Sequence, residues 1–137
     1  MRTAVLLFFG LVLVLGCEGS AKVAAVSGIV TLNGKPLASA AVSFQPIGET
    51  LNPGPGSTGL TNDRGEYTLQ VTGGGKGAMV GKHRVEISCL EAEGKNKPHE
   101  DPRTKPRERV PLEYNLRSKL TFEVKPGKNT ANFDLTS

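Results

Sequence analysis

The chain has 137 residues, 17 basic against 13 acidic side chains for a formal net charge of +4, and no tryptophan. That length holds one domain with a single core and no need of disulfides, and so mild a charge does not call for nucleic acid. Two cysteines and two isolated histidines, His83 and His99, give no metal-ligand spacing.

In chain order, the first element is the apolar run from Ala4 to Leu15. As a helix it would reach about 18 Å at ~1.5 Å per residue, short of the roughly 30 Å of a bilayer core. It also lacks the polar face of a core helix. Arg2, the apolar run and small Gly16 instead read as a signal peptide over residues 1–16. Val14-Leu15-Gly16-Cys17 resembles the lipobox of bacterial lipoproteins. The resemblance implies a diacylglycerol on the Cys17 thiol and cleavage just before it. Two or three acyl chains anchor firmly, since each buried CH₂ is worth about 0.8 kcal/mol. The mature protein is then exported and held to a membrane through Cys17, and loss of Arg2 lowers its formal charge by one, to +3. Cys89 is left unpaired and is expected to be a small buried core residue.

Residues 17–22 read as a lipidated cysteine and tether, and residues 23–137 as the domain. Its pattern has period two almost throughout. Ala24, Val26, Gly28, Val30 and Leu32 share one face of the first strand, and Asn33-Gly34-Lys35-Pro36 signals a hairpin. Ala40, Val42 and Phe44 alternate with polar residues. So do Tyr67, Leu69 and Val71, then Val85, Ile87 and Cys89, then Leu120, Phe122 and Val124, then Ala131, Phe133 and Leu135. Pro126-Gly127-Lys128-Asn129 is expected to join the last two strands as a hairpin. Thr58–Thr61 is a ragged candidate for one more short strand. Ile47 to Gly59 and Leu90 to Val110 are expected to be loops, the second charged and solvated. One-sided strands must hide their apolar faces against another sheet. The expected fold is therefore an all-β, antiparallel Greek-key sandwich of about seven strands. Its expected core is Val26, Val30, Val42, Phe44, Leu69, Val85, Ile87, Phe122 and Phe133.

The order "VSGIVTLNGKPLASAAVSFQP", "GLTNDRGEYTL", "GKHRVEI" and "VPLEYNLRSKLTFEVKPGKNTANFDL" resembles the carboxypeptidase regulatory-like, transthyretin-like (prealbumin-like) domain, in the form carried alone by short bacterial lipoproteins. The resemblance implies a β-sandwich that assists folding or interaction rather than catalysis, with no established activity. Gly28 would allow close packing, Asn33, Gly34 and Pro36 would shape the first hairpin, and Asp63 and Gly65 would close the turn before Tyr67. Gly81 would open the strand carrying Val85, and Tyr114 and Asn115 would precede the penultimate strand.

Chemistry finds little footing. Asn62, Asp63 and Glu66 offer oxygens for calcium, but the ligand series of an EF-hand is missing, and a β-turn with Asp63 bonding its own backbone is the simpler reading. The transthyretin-related hydroxyisourate hydrolases end in Tyr-Arg-Gly-Ser, whereas this chain ends FDLTS. His83 beside Arg84, at a strand start, is expected to be solvated, and no serine sits in a Gly-x-Ser-x-Gly elbow. Catalytic, metal and cofactor residues are therefore not expected. A sugar platform wants exposed aromatics, and Tyr114 is the one aromatic with a claim to the surface. A Lys–Asn crosslink would need Asn132 inward, yet it falls on a polar face, with Lys22 in the tether and Lys35 in a turn. What remains is the basic loop: mixed charges and prolines make a solvated loop the simpler reading, and Lys105, Arg107 and Arg109 are the candidates for contact with an anionic surface. The expected role is a non-catalytic structural or protein-interaction module at the cell envelope. A binding module for an envelope polysaccharide or other small ligand is the alternative. The expected partner is the membrane through Cys17, with an envelope protein or polysaccharide as the candidate second partner and nucleic acid not expected.

Overall fold

The computed structural model describes residues 22–91 and 106–137. Cys17, Lys105, His99 and the signal sequence lie outside the described residues. The elements are β1 (Val23–Leu32), β2 (Lys35–Pro36), β3 (Ala41–Pro46), β4 (Ser57–Leu60), β5 (Glu66–Thr68), β6 (Gln70–Val71), β7 (Ala78–Met79), β8 (Gly81–Ser88), β9 (Leu90–Glu91), β10 (Arg107–Glu108), a 3₁₀ turn at Leu112–Tyr114, β11 (Thr121–Val124), β12 (Lys128–Thr130) and β13 (Phe133–Leu135). The fold is all-β, as expected, and the ragged segment at Thr58 is a strand that begins one residue earlier.

Two sheets face each other. The second is a regular antiparallel ladder in the order β11-β8-β3-β4-β6. The first is organised around β1 alone. On one side of β1 the short strands β2, β5 and β7 pair antiparallel, one after another. On its other side β12 and β13 run parallel to it. The stretch Glu66–Val71 belongs to both sheets, β5 pairing with β1 and β6 with β4. Leu69 sits at this corner, fully buried. Its N–H donates to the Val26 carbonyl at 2.9 Å and its carbonyl accepts from the Gly77 N–H at 2.7 Å. A strand that changes sheets in this way closes one side of a sandwich.

The parallel pairing corrects the expected terminal hairpin. Pro126 to Asn129 does turn the chain, with Gly127 at φ 96°. The turn, however, carries the chain from the edge of the second sheet to the edge of the first. Asn129 holds it there: its Oδ1 accepts from the Lys125 N–H at 2.9 Å, and its Nδ2 donates to the carbonyls of Lys125 at 2.8 Å and Ala25 at 3.2 Å. Turn chemistry fixes a reversal of direction, not which strand the chain pairs with afterwards.

Gly28 explains how β1 and the last strand approach. A Cβ there would lie 1.8 Å from the Ala131 carbonyl oxygen, so only glycine fits. The same oxygen accepts from the buried Tyr67 hydroxyl at 2.6 Å, while the Ala131 N–H donates to the Ser27 carbonyl at 2.8 Å. Asn33 and Gly34, at φ 52° and 79°, form the expected hairpin turn. In the turn before β5 the capping residue is Asn62 and not Asp63. The Asn62 Oδ1 accepts from the N–H groups of Arg64 at 2.9 Å and Glu66 at 3.0 Å, and Gly65 takes φ 74°.

The core lies between the sheets around Phe44, whose ring centroid is 5.7 Å from Phe122, 6.3 Å from Phe133 and 5.6 Å from His83. Val26, Val30, Val42, Leu69, Val85 and Ile87 are buried as expected. Phe122 and Phe133 are only partly buried, because both stand on edge strands. His83 is a correction: it is buried, not solvated. Its Nδ1 donates to the Gly81 carbonyl at 3.0 Å, which leaves Nε2 buried with no partner. Burial pushes its pKa below the ordinary 6.5, against the opposing pull of the Gly81 hydrogen bond.

Candidate functional site

The outer face of the second sheet carries a groove. Strand register lays down its floor from small side chains. Leu60, Ala41 and Ser88 lie in one row across β4, β3 and β8, with Thr58, Ser43 and Glu86 in the next. The 3₁₀ turn forms one wall. Its backbone folds on itself through Asn115 N–H to the Leu112 carbonyl at 3.2 Å and Ser118 N–H to the Asn115 carbonyl at 3.0 Å. Buried Asn115 donates to the Val110 carbonyl at 3.4 Å and accepts from the Leu116 N–H, and Ser118 Oγ donates to the Val85 carbonyl. Tyr114, half-buried, keeps its hydroxyl 3.3 Å from Thr136 Oγ1. With its polar residues committed inward, the turn presents its leucines outward.

Those leucines are unusually open. Leu116 is 79% exposed, Leu60 68%, Leu90 58% and Leu112 49%. Leu90, Leu112 and Leu116 enclose a cavity of about 370 Å³ over Ala41, Ser43 and Ser88, and Leu60 borders an adjoining depression that shares Ala41. A single exposed leucine is ordinary, whereas several around one concavity mark a contact surface.

The groove also holds a fixed negative charge. Glu108 Oε2 accepts from Ser88 Oγ at 2.5 Å, and Oε1 accepts from the N–H groups of Cys89 at 2.8 Å and Val110 at 2.9 Å. Burial alone would push this carboxyl's pKa up. The hydrogen bonds from Ser88, Cys89, Val110 and Arg109 outweigh it and hold the pKa below the ordinary value. Glu86, the other carboxylate of the lining, pairs with Arg84. Among the described residues no lysine or arginine lines the cavity. Among the described residues no group of three His, Cys, Asp or Glu side chains converges as metal ligands. The arrangement offers apolar contact beside anchored carboxylates.

Of the residues expected at an anionic surface, Arg107 and Arg109 are described and exposed, on and just beyond β10. The ends of the expected loop are not free, since β9 and β10 pair and set Arg107 opposite Glu91. Arg109 Nε lies 3.4 Å from Glu91 Oε1, and a shallow depression gathers both arginines with Glu91 and Glu108. The structure thus brings these two arginines together among carboxylates. Cys89 is buried, with Sγ 3.5 Å from the Ala38 carbonyl, and burial pushes its thiol pKa up. The leucines of the groove were absent from the sequence-based candidates. Their signal was present: Leu60 and Leu90 stand at polar-phase positions of their strands, where a large apolar side chain has no core to enter.

No family model matches the chain, and no curated protein matches it. Among solved structures it is similar to a DUF3823 family protein from Parabacteroides merdae, at 12% identity and a TM-score of 0.43, over 84% of this chain and 46% of that one. The chain thus spans less than half the length of that protein, and a likeness of this degree assigns it no role.

Proposed function

We propose that this is a lipid-anchored, non-catalytic protein of the bacterial cell envelope that works as a protein-interaction module, with the leucine-walled groove as its contact surface. The observation that carries this reading is the set of open leucines over a small-residue floor, next to carboxylates held in place by backbone N–H groups. Anchored aliphatic side chains around a concavity are what a partner's apolar side chain fills. The lipobox at Cys17 supports the anchor. Three features support a carboxypeptidase regulatory-like sandwich: the Gly28 contact, the Asn33-Gly34 hairpin and the Asn62–Gly65 turn.

The test is in-cell photo-crosslinking of the full chain from single positions. A photoreactive residue in place of Leu90 or Leu116 is expected to give one protein adduct, and the same residue in place of exposed Glu123 none. Equal adducts from all three positions, or none from the leucines, overturn the reading. The cavity volume also falls within the usual range for small-molecule sites, about 300–1,000 Å³. A mass increment from a small molecule at Leu116, with no protein adduct, would favour the ligand-binding alternative.

A further inference from the structure

The end of the sandwich where β1 begins carries a second surface, and strand register defines it. The Val80 N–H donates to the Lys22 carbonyl at 2.7 Å, Val23 pairs with Met79, and Ala25 pairs with Lys128. Val124 pairs with Gly81, which brings the turn after β11 to the same end. The Ile47 N–H donates to the Lys82 carbonyl at 2.8 Å and the Thr72 N–H to the Gly56 carbonyl at 2.9 Å. The loop between β3 and β4 and the turn after β6 therefore join it.

This end is basic and partly apolar. Lys22, Lys76, Lys82, Lys125 and Lys128 are all exposed, against Glu49 and Glu123. None of the five lysines forms an ion pair among the described residues. Leu51 stands fully exposed in the loop, and Val23 and Ile47 are about half exposed. The opposite end is different. There Lys35, Arg64, Arg107 and Arg109 are interleaved with Asp63, Glu66, Glu91 and Glu108, and Arg64 and Arg109 are paired.

We infer that the β1-start end seats the domain on the anionic phospholipid surface of the membrane that holds its anchor, with the lysines on headgroup phosphates and Leu51 at the acyl boundary. The inference rests on the lipid-anchor reading. Five residue steps separate Cys17 from Lys22, a reach of at most about 18 Å at ~3.6 Å per residue. β1 then spans nine residue steps, about 30 Å at ~3.3 Å per residue, from Val23 to Leu32, and Leu32 borders the depression that holds Arg107 and Arg109. The tether thus holds the lysine-bearing end next to the bilayer, while at the far end Arg109 is paired with Glu91. With the acyl chains supplying the attachment, basic residues beside the anchor are drawn to an anionic leaflet and orient the domain on it. The groove, on the outer face of the second sheet toward the far end, is left clear of the lipid.

The experiment is amide hydrogen exchange on the full chain purified from membranes. It is reconstituted in vesicles of 70% phosphatidylcholine and 30% phosphatidylglycerol, or of phosphatidylcholine alone. Exchange in the Ile47–Gly56 loop, at Gly73–Gly75 and at Gly127 should slow by about fivefold or more in the anionic vesicles, at low salt only, because screening at 0.5 M salt shortens electrostatic reach to a few ångströms. The Asn33-Gly34 and Asn62–Gly65 turns should not change. The triple variant K76E/K125E/K128E, exposed in turns and at a strand end, should unfold at the wild-type temperature and lose the protection. Protection centred on Arg107–Arg109, at both ends alike, or at neither end overturns the inference. The mass of the Cys17 peptide reports the anchor separately. An unlipidated chain that still shows the pattern refutes the anchor but not the surface.

Discussion

The two sheets achieve the same burial by different means. The second is a ladder of neighbouring antiparallel strands, and Val42, Phe44, Val85 and Ile87 follow from alternation alone. The first is one long strand with five short partners. It is completed by single contacts: a hydrogen in place of a side chain at Gly28, the Tyr67 hydroxyl on Ala131, and the Asn129 carboxamide on Lys125 and Ala25. The difference teaches that stability in the second sheet is spread over buried area, whereas in the first it is concentrated in a few atoms that have no substitutes.

Substitutions can break that comparison. The largest effect is expected at Gly28→Val, where the new Cβ would meet the Ala131 oxygen at 1.8 Å. A loss above about 4 kcal/mol, the range reserved for named steric or burial defects, should leave the domain unfolded at room temperature by circular dichroism. Phe44→Ala, in the area-held sheet, should cost about 3–5 kcal/mol in urea unfolding and leave a folded protein only if the reserve allows. Tyr67→Phe removes one buried donor without changing shape, and should cost about 1–2 kcal/mol by leaving the Ala131 carbonyl unmatched. A cost near zero would show that the first sheet is held by area after all.

Acid should act on the second sheet first. His83 lies against the ring of Phe44 and, by register, beside Phe122 and Pro46, with Lys82, Arg84 and Glu123 on the other face, so among the described residues no carboxylate partners an imidazolium. Because its pKa is lowered in the fold, the unfolded chain binds a proton that the native state refuses. Stability should therefore fall as pH drops below 6.5, by at most about 1.4 kcal/mol per pH unit, until the folded pKa is reached. His83→Phe should flatten that window in pH-dependent melting. Glu108, whose pKa is also lowered, contributes a separate loss only below about 4.5. The smallest effect belongs to Arg64→Ala. Its pair with Glu66 at 3.1 Å is exposed on both sides, and its loss should fall within the error of a melting curve.

How much of this the sequence discloses follows from the same contrast. Alternation is a local property, so the ladder of β3 and β8 and the hairpin at Asn33-Gly34 can be read directly. The parallel return of β12 and β13 to β1 is set by contacts more than a hundred residues apart, which no local pattern encodes. The groove fell between these cases. Its leucines were visible as apolar residues out of phase, but the floor beneath them needs the register of three strands. His83 misled because polar residues at strand starts are usually wet, and its inward phase with Val85 was the better guide.

The pairing of β1 with β13 bears on how the chain matures. Synthesis from the N-terminus delivers β1 early, while β13, whose Leu135 completes the pairing with Leu32, follows about a hundred residues later. During that interval β1 has at most one flank occupied, by β2, β5 and β7 as they arrive, and its other backbone edge is open to any extended chain nearby. The order of synthesis thus sets a waiting time for the oldest strand. Losing only the final few residues would make that exposure permanent.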